Sequence, residues 1–130
     1  MKGYIINIEK NAEENVDYRR VLYTAPHSQL VLMNIQPGDE IGEETHQLDQ
    51  FIRFEAGKGK VVLDGVEYNI EDGYAVVIPA GTKHNVVNTG EAEMKLYTIY
   101  SPPNHRDGVV HKTKEEASAD DEYFNGQTTE

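Results

Sequence analysis

The sequence predicts an all-β domain, a sandwich or barrel of short strands, followed by one short helix near the C-terminal end. Three observations carry this. Apolar residues recur with a period of two, or in short continuous runs, through the first hundred residues. Turn residues punctuate those runs at regular intervals: Gln36-Pro37-Gly38-Asp39, Asp64-Gly65, Glu71-Asp72-Gly73, Pro79-Ala80-Gly81-Thr82 and Thr89-Gly90-Glu91. A helix start signal stands only near the end, where Thr113-Lys114-Glu115-Glu116 reads as a capping box ahead of Ala117.

In chain order, strands are expected over residues 4–8, 19–24 and 30–35, the last stopping at Pro37-Gly38. Residues 51–55 follow, then 60–63 and 66–69, joined by Asp64-Gly65. An Asp-Gly pair between two short apolar runs is the strongest short hairpin signal, because both central residues of a type I′ turn need positive φ. Residues 74–78, 84–88 and 94–100 complete the set. Pro102-Pro103 ends strand structure, since consecutive prolines lack ladder donors. The organisation expected is a β-domain over residues 1–103 and a C-terminal segment, 104–130, with a short helix and an acidic, partly disordered tail.

A chain of 130 residues fits one domain with a sizeable core. The formal charge of -11 argues against nucleic acid or an anionic membrane surface as the main partner, because either would be repelled. Part of that charge is local: Glu116, Asp120, Asp121, Glu122 and Glu130 have no Lys or Arg among them. With no cysteine, disulfides and thiolate metal sites are excluded. No apolar run is long enough to span a bilayer and no leader follows Met1, so a cytoplasmic location is expected.

The chemistry is concentrated in two spaced motifs. Gly73, five residues, Pro79, one, Gly81, two, His84, three, Asn88 describes a tight hairpin that delivers one histidine to the start of a strand. Upstream, Gly38 is followed by Glu44, His46, Gln50 and Gly57. Both spacings resemble the two motifs of the cupin superfamily. The second matches at every defined position; in the first, Glu44 stands where the family has its first His, and Gln50 where it has Glu. The motifs cover residues 38–88, the middle of a small barrel.

The resemblance implies a double-stranded β-helix, or jelly roll, and a site for one divalent transition metal (Mn, Fe, Ni or Zn) held by Glu44, His46, Gln50 and His84. It also implies a small-molecule ligand or substrate and a homodimer paired through sheet edges. Strand parity agrees with a shared site: residues two apart face one side, so Glu44 and His46 point together, with Gln50 if the strand continues. Duller readings stand beside these. His84 can cap its turn or hydrogen-bond in the core, His46 can be a surface histidine, and Glu44 belongs to the acidic run from Glu40. Gln50, a neutral donor, can instead hydrogen-bond a ligand.

Two imidazoles, a carboxylate and an amide carry one negative charge, so a divalent ion there would remain a Lewis acid. The set lacks sulfur and suits Mn, Fe, Ni or Zn better than copper(I). Arg53 and Lys83 are candidates to meet an anionic substrate, although parity places Arg53 on the outer face. Tyr68, Tyr74, Tyr97 and Tyr100 are candidates to line a pocket. His105 and His111 are not spaced as a second metal site and receive no role. Three function classes stay open: a metal-dependent enzyme acting on a sugar, sugar acid or dicarbonyl compound by isomerisation, ring opening or dioxygenation; a non-catalytic small-molecule binder or sensor; and a metal-free dimerisation module.

Overall fold

The computed structural model describes all 130 residues. Its elements are α1 (Ile8–Glu14), β1 (Arg19–Thr24), β2 (Gln29–Ile35), β3 (Asp49–Ala56), β4 (Lys58–Leu63), β5 (Val66–Glu71), β6 (Ala75–Ile78), β7 (His84–Asn88), β8 (Met94–Ser101), β9 (Val110–His111) and α2 (Lys114–Ala119). The strands form a six-stranded antiparallel sheet, ordered β6-β3-β8-β2-β1-β9, and a three-stranded one, ordered β5-β4-β7. The two face each other as a jelly roll.

Register decides which side chains enter the barrel. Across β3, β8 and β2 the inward rows are Gln50–Tyr100–Gln29, Ile52–Thr98–Val31 and Phe54–Leu96–Met33. The facing sheet contributes Val61 and its partner Val86. Ile52, Phe54, Leu96, Val61 and Val86 share one core cluster, so both sheets are fixed by burial of the same apolar surface. One end of this interior is apolar; the row through Gln50 and Tyr100 begins a polar end.

Turn chemistry follows the sequence. Asp64 and Gly65 both have positive φ (48° and 84°), the type I′ geometry expected of the β4–β5 hairpin. Gly59 answers a different need: a Cβ there would stand 2.1 Å from the Val87 carbonyl oxygen, on the neighbouring β7. Thr113 caps α2, its hydroxyl accepting from the Glu116 N–H at 3.1 Å. The Glu116 carboxylate reaches back one residue further than a standard box, to the Lys112 N–H at 2.7 Å.

Residues 4–8, expected as a strand, are not one. The Asn7 side chain accepts from the Lys10 N–H at 3.1 Å and starts α1 instead. Ile5 stays fully exposed, and Ala12 is the helix residue that packs. Residues 104–130 lie against the barrel. Phe124 N–H bonds to Asn104 O, Thr129 N–H to Thr24 O, and the Glu130 carboxylate accepts from the N–H groups of Lys2 and Gly3. No helix is long and apolar enough to cross a membrane.

Candidate metal centre

Glu44 does not sit in a strand; it makes an isolated bridge in the β2–β3 connection. Its N–H and C=O exchange two 2.8 Å bonds with the backbone of His84, at the first residue of β7. Two residues on, the His46 carbonyl accepts from the Gly81 N–H at 2.8 Å. The Pro79–Thr82 turn is thus stapled to the loop that carries the first motif. Parity anticipated the shared face, but cross-bridging to β7, rather than a continuous strand, produces it.

The candidate ligand atoms of Glu44, His46 and His84 all lie within 4.8 Å of one another, and the two imidazole centroids are 5.3 Å apart. His84 Nδ1 is 2.9 Å from the Thr82 carbonyl oxygen. A carbonyl only accepts, so Nδ1 carries the proton and Nε2 keeps its lone pair. That is the orientation a metal-binding imidazole needs, with its far nitrogen fixed by a backbone oxygen. His84 Nε2 and His46 Nε2 are both buried without a hydrogen-bond partner. His46 Nε2 is 3.6 Å from Glu44 Oε2.

Gln50 is buried on β3. Its Nε2 donates to Thr98 Oγ1 at 3.0 Å, leaving Oε1 buried and without a donor. Its cross-strand neighbour Tyr100 stands edge-on to His46, ring centroids 6.1 Å apart. Burial pushes the Glu44 carboxyl up, but the close His46 imidazole, with the charges of His84 and Arg19, outweighs it and holds the group below its ordinary range. Glu44 is therefore an anion at neutral pH.

The donor chemistry fits a divalent ion: two imidazole nitrogens, one carboxylate and one amide oxygen, three of them with buried atoms that no protein group satisfies. A buried acceptor left unmatched costs about 1–3 kcal/mol, so three together in a well-bonded barrel call for a partner.

Residues 31–100 match the family model described as the cupin domain. The protein is a cupin. YrkC of Bacillus subtilis is 43% identical over 125 residues, covering 91% of this chain and 67% of that protein. L612 of Acanthamoeba polyphaga mimivirus is 41% identical over 113 residues, covering 82% and 70% respectively. The crystal structure of BH2720 from Bacillus halodurans superposes with a TM-score of 0.90 at 45% identity, covering 92% of this chain and 96% of that one.

Near the ligand cluster, this cupin places one of the tyrosines weighed from sequence, Tyr100, and a histidine that received no role, His105. Tyr100 is buried, and burial above all pushes its hydroxyl pKa up, so it stays an O–H donor. His105 is also buried; its Nε2 lies 3.4 Å from the Tyr100 hydroxyl and its Nδ1 2.9 Å from Glu122 Oε2. Of the cations weighed from sequence, Arg53 pairs with the buried Glu55 at 3.6 Å and Lys83 with the exposed Glu43 at 3.6 Å. Tyr68 and Tyr74 are exposed. Arg19 is the cation that sequence reasoning passed over. Its only local signal was an Arg at the alternation position of inward Val21.

Proposed function

We propose that this cupin binds one divalent transition metal through Glu44, His46, Gln50 and His84 and acts there on a small sugar, sugar acid or dicarbonyl compound. The observation that carries the reading is the set of three buried, unmatched atoms, His46 Nε2, His84 Nε2 and Gln50 Oε1, beside an ionised Glu44. When bound, a divalent ion supplies Lewis acidity toward a substrate oxygen. The chain's own residues do the rest. The Thr82 carbonyl fixes His84, and the paired backbones of Glu44 and His84 hold two donors in register. Tyr100 presents a neutral hydroxyl at the inner wall, and Ile52, Phe54 and Val61 keep water from the barrel beneath.

Enzyme rather than passive binder is favoured by the charge balance of the cage, which leaves a bound dication a net positive centre able to polarise a carbonyl. Elemental analysis of protein purified without chelator tests the metal; one equivalent of Mn, Fe, Ni or Zn is expected, and His46→Ala and His84→Ala should each lose it. Sugars, unsaturated uronates and diketones, followed by NMR and an oxygen electrode, test the chemistry. The same reading takes the protein as a homodimer paired through an exposed sheet edge, where β5 and β6 leave Tyr68 and Val77 open. A sedimentation mass of 14.7 kDa would exclude it.

A further inference from the structure

Arg19 is a cation without an anion. It lies on β1, paired with Met33 of β2 on one side and His111 of β9 on the other, two residues from Val21 on the inward face. The adjacent Arg20 points out and pairs with Asp17 at 2.9 Å. Arg19 has no carboxylate within 4 Å among the ion pairs of the protein, although the chain has 23 acidic residues against 12 basic ones. Its Nη1 donates instead to His111 Nδ1 at 3.2 Å, and its Nε is buried without an acceptor. Since Arg only donates, His111 Nδ1 must carry the lone pair, and its Nε2–H donates to Asp120 Oδ2 at 3.0 Å. Asp120 and His111 thus aim the guanidinium and leave one of its N–H groups for something else. Its charge also bears on the buried Tyr100 hydroxyl and the buried His105 imidazole.

A buried guanidinium N–H with no acceptor is costly, and its natural complement is a carboxylate, which the planar fork matches in shape and charge. We propose that Arg19, aimed by the Asp120–His111 pair, binds the carboxylate of a small organic acid that enters the barrel. Pyruvate, a small 2-oxo acid, is a compact probe of that class. The Arg19 contact does not rest on the metal reading, although the substrate class deepens it.

The test uses 15N-labelled, zinc-loaded protein titrated with pyruvate and with its uncharged amide, pyruvamide. The Arg19 Nε–H resonance is identified by its disappearance in Arg19→Lys. Pyruvate should move that resonance and pyruvamide should not. Arg19→Met should weaken pyruvate binding about tenfold or more, the loss expected for a charge-assisted hydrogen bond, with zinc content unchanged. Asp120→Asn, which keeps the guanidinium but loosens its aim, should weaken binding less. A resonance unmoved by pyruvate, or moved equally by pyruvamide, overturns the proposal, and this wild-type readout decides even if Arg19→Met fails to fold. A wild-type protein that takes up none of Mn, Fe, Ni or Zn overturns the metal reading alone; the same titration on metal-free protein then decides Arg19 by the same criteria.

Discussion

Gln50 separates a metal ligand from a packed core amide, and Gln50→Met is the perturbation that does so. The side chain is 4% exposed, makes one 3.0 Å bond to Thr98 Oγ1 and leaves Oε1 unmatched. Met has nearly the same length and volume, so packing changes little. In metal-free protein the substitution removes one unmatched buried oxygen but leaves another, since Thr98 Oγ1 is fully buried and loses its donor, so two terms of about 1–3 kcal/mol each oppose one another. The variant should therefore match wild type in stability without metal to within about 1 kcal/mol. With metal the balance changes. A thioether is a poor donor for Mn or Zn, so the variant should bind the ion more weakly and lose part of the ligand-induced stabilisation. Urea denaturation in chelator and in excess manganese or zinc reads both halves. A variant clearly destabilised in chelator, yet with undiminished gain on adding metal, would refute the reasoning and leave Gln50 a structural amide.

Other consequences are more direct. Gly59→Ala should cost about 2 kcal/mol or more, because its Cβ would meet the Val87 carbonyl at 2.1 Å and Met94 Cε at 2.5 Å, and β7 must shift away with His84. Gly81→Ala, with nothing within 4 Å but a φ of 86°, should cost only its backbone strain of about 1 kcal/mol; equal losses in urea melts would contradict the steric account. Stability should fall with acid. Burial raises the Glu122 carboxyl, but the bond and charge of His105 and the Arg106 N–H lower it further, while burial holds the His105 imidazole below its usual value. Both groups bind fewer protons folded than unfolded, so their contribution is complete above pH 6.5 and drains away as pH falls through 4.5 and below. Glu122→Gln should steepen the loss between pH 6.5 and 4.5, since His105 loses the partner that favours its charged form; urea melts at pH 7.5 and 5 that show an unchanged slope would count against this. Thr113→Ala should cost α2 about 1 kcal/mol of amide protection in hydrogen exchange and leave metal content untouched.

Strand existence was legible because its signals are local. Strands over residues 19–24 and 84–88 have the limits their apolar runs and flanking turns indicated, and Asp64-Gly65 adopts the two positive φ values its chemistry favours. The same local logic misread residues 4–8: their apolar content suits a strand, but no neighbouring edge pairs with them, and Asn7 caps a helix instead. The resemblance of the two motifs to the cupin pattern pointed to Glu44, His46 and His84, and the fold brings their ligand atoms within 4.8 Å of one another.

What spacing does not encode is the partner across a sheet or the group delivered from the far end of the chain. Arg19 and Arg20 are neighbours in sequence, yet only register with Met33 and His111 turns Arg19 toward the barrel while Arg20 meets Asp17 outside. His105 and His111 have no informative spacing because their partners, Glu122 and Asp120, arrive with α2 and the segment after it. Backbone preference and alternation act over a few residues and are written in order along the chain. Which face is buried, and which charge is left unpaired inside, depends on contacts between distant segments and was decided only when the two sheets closed.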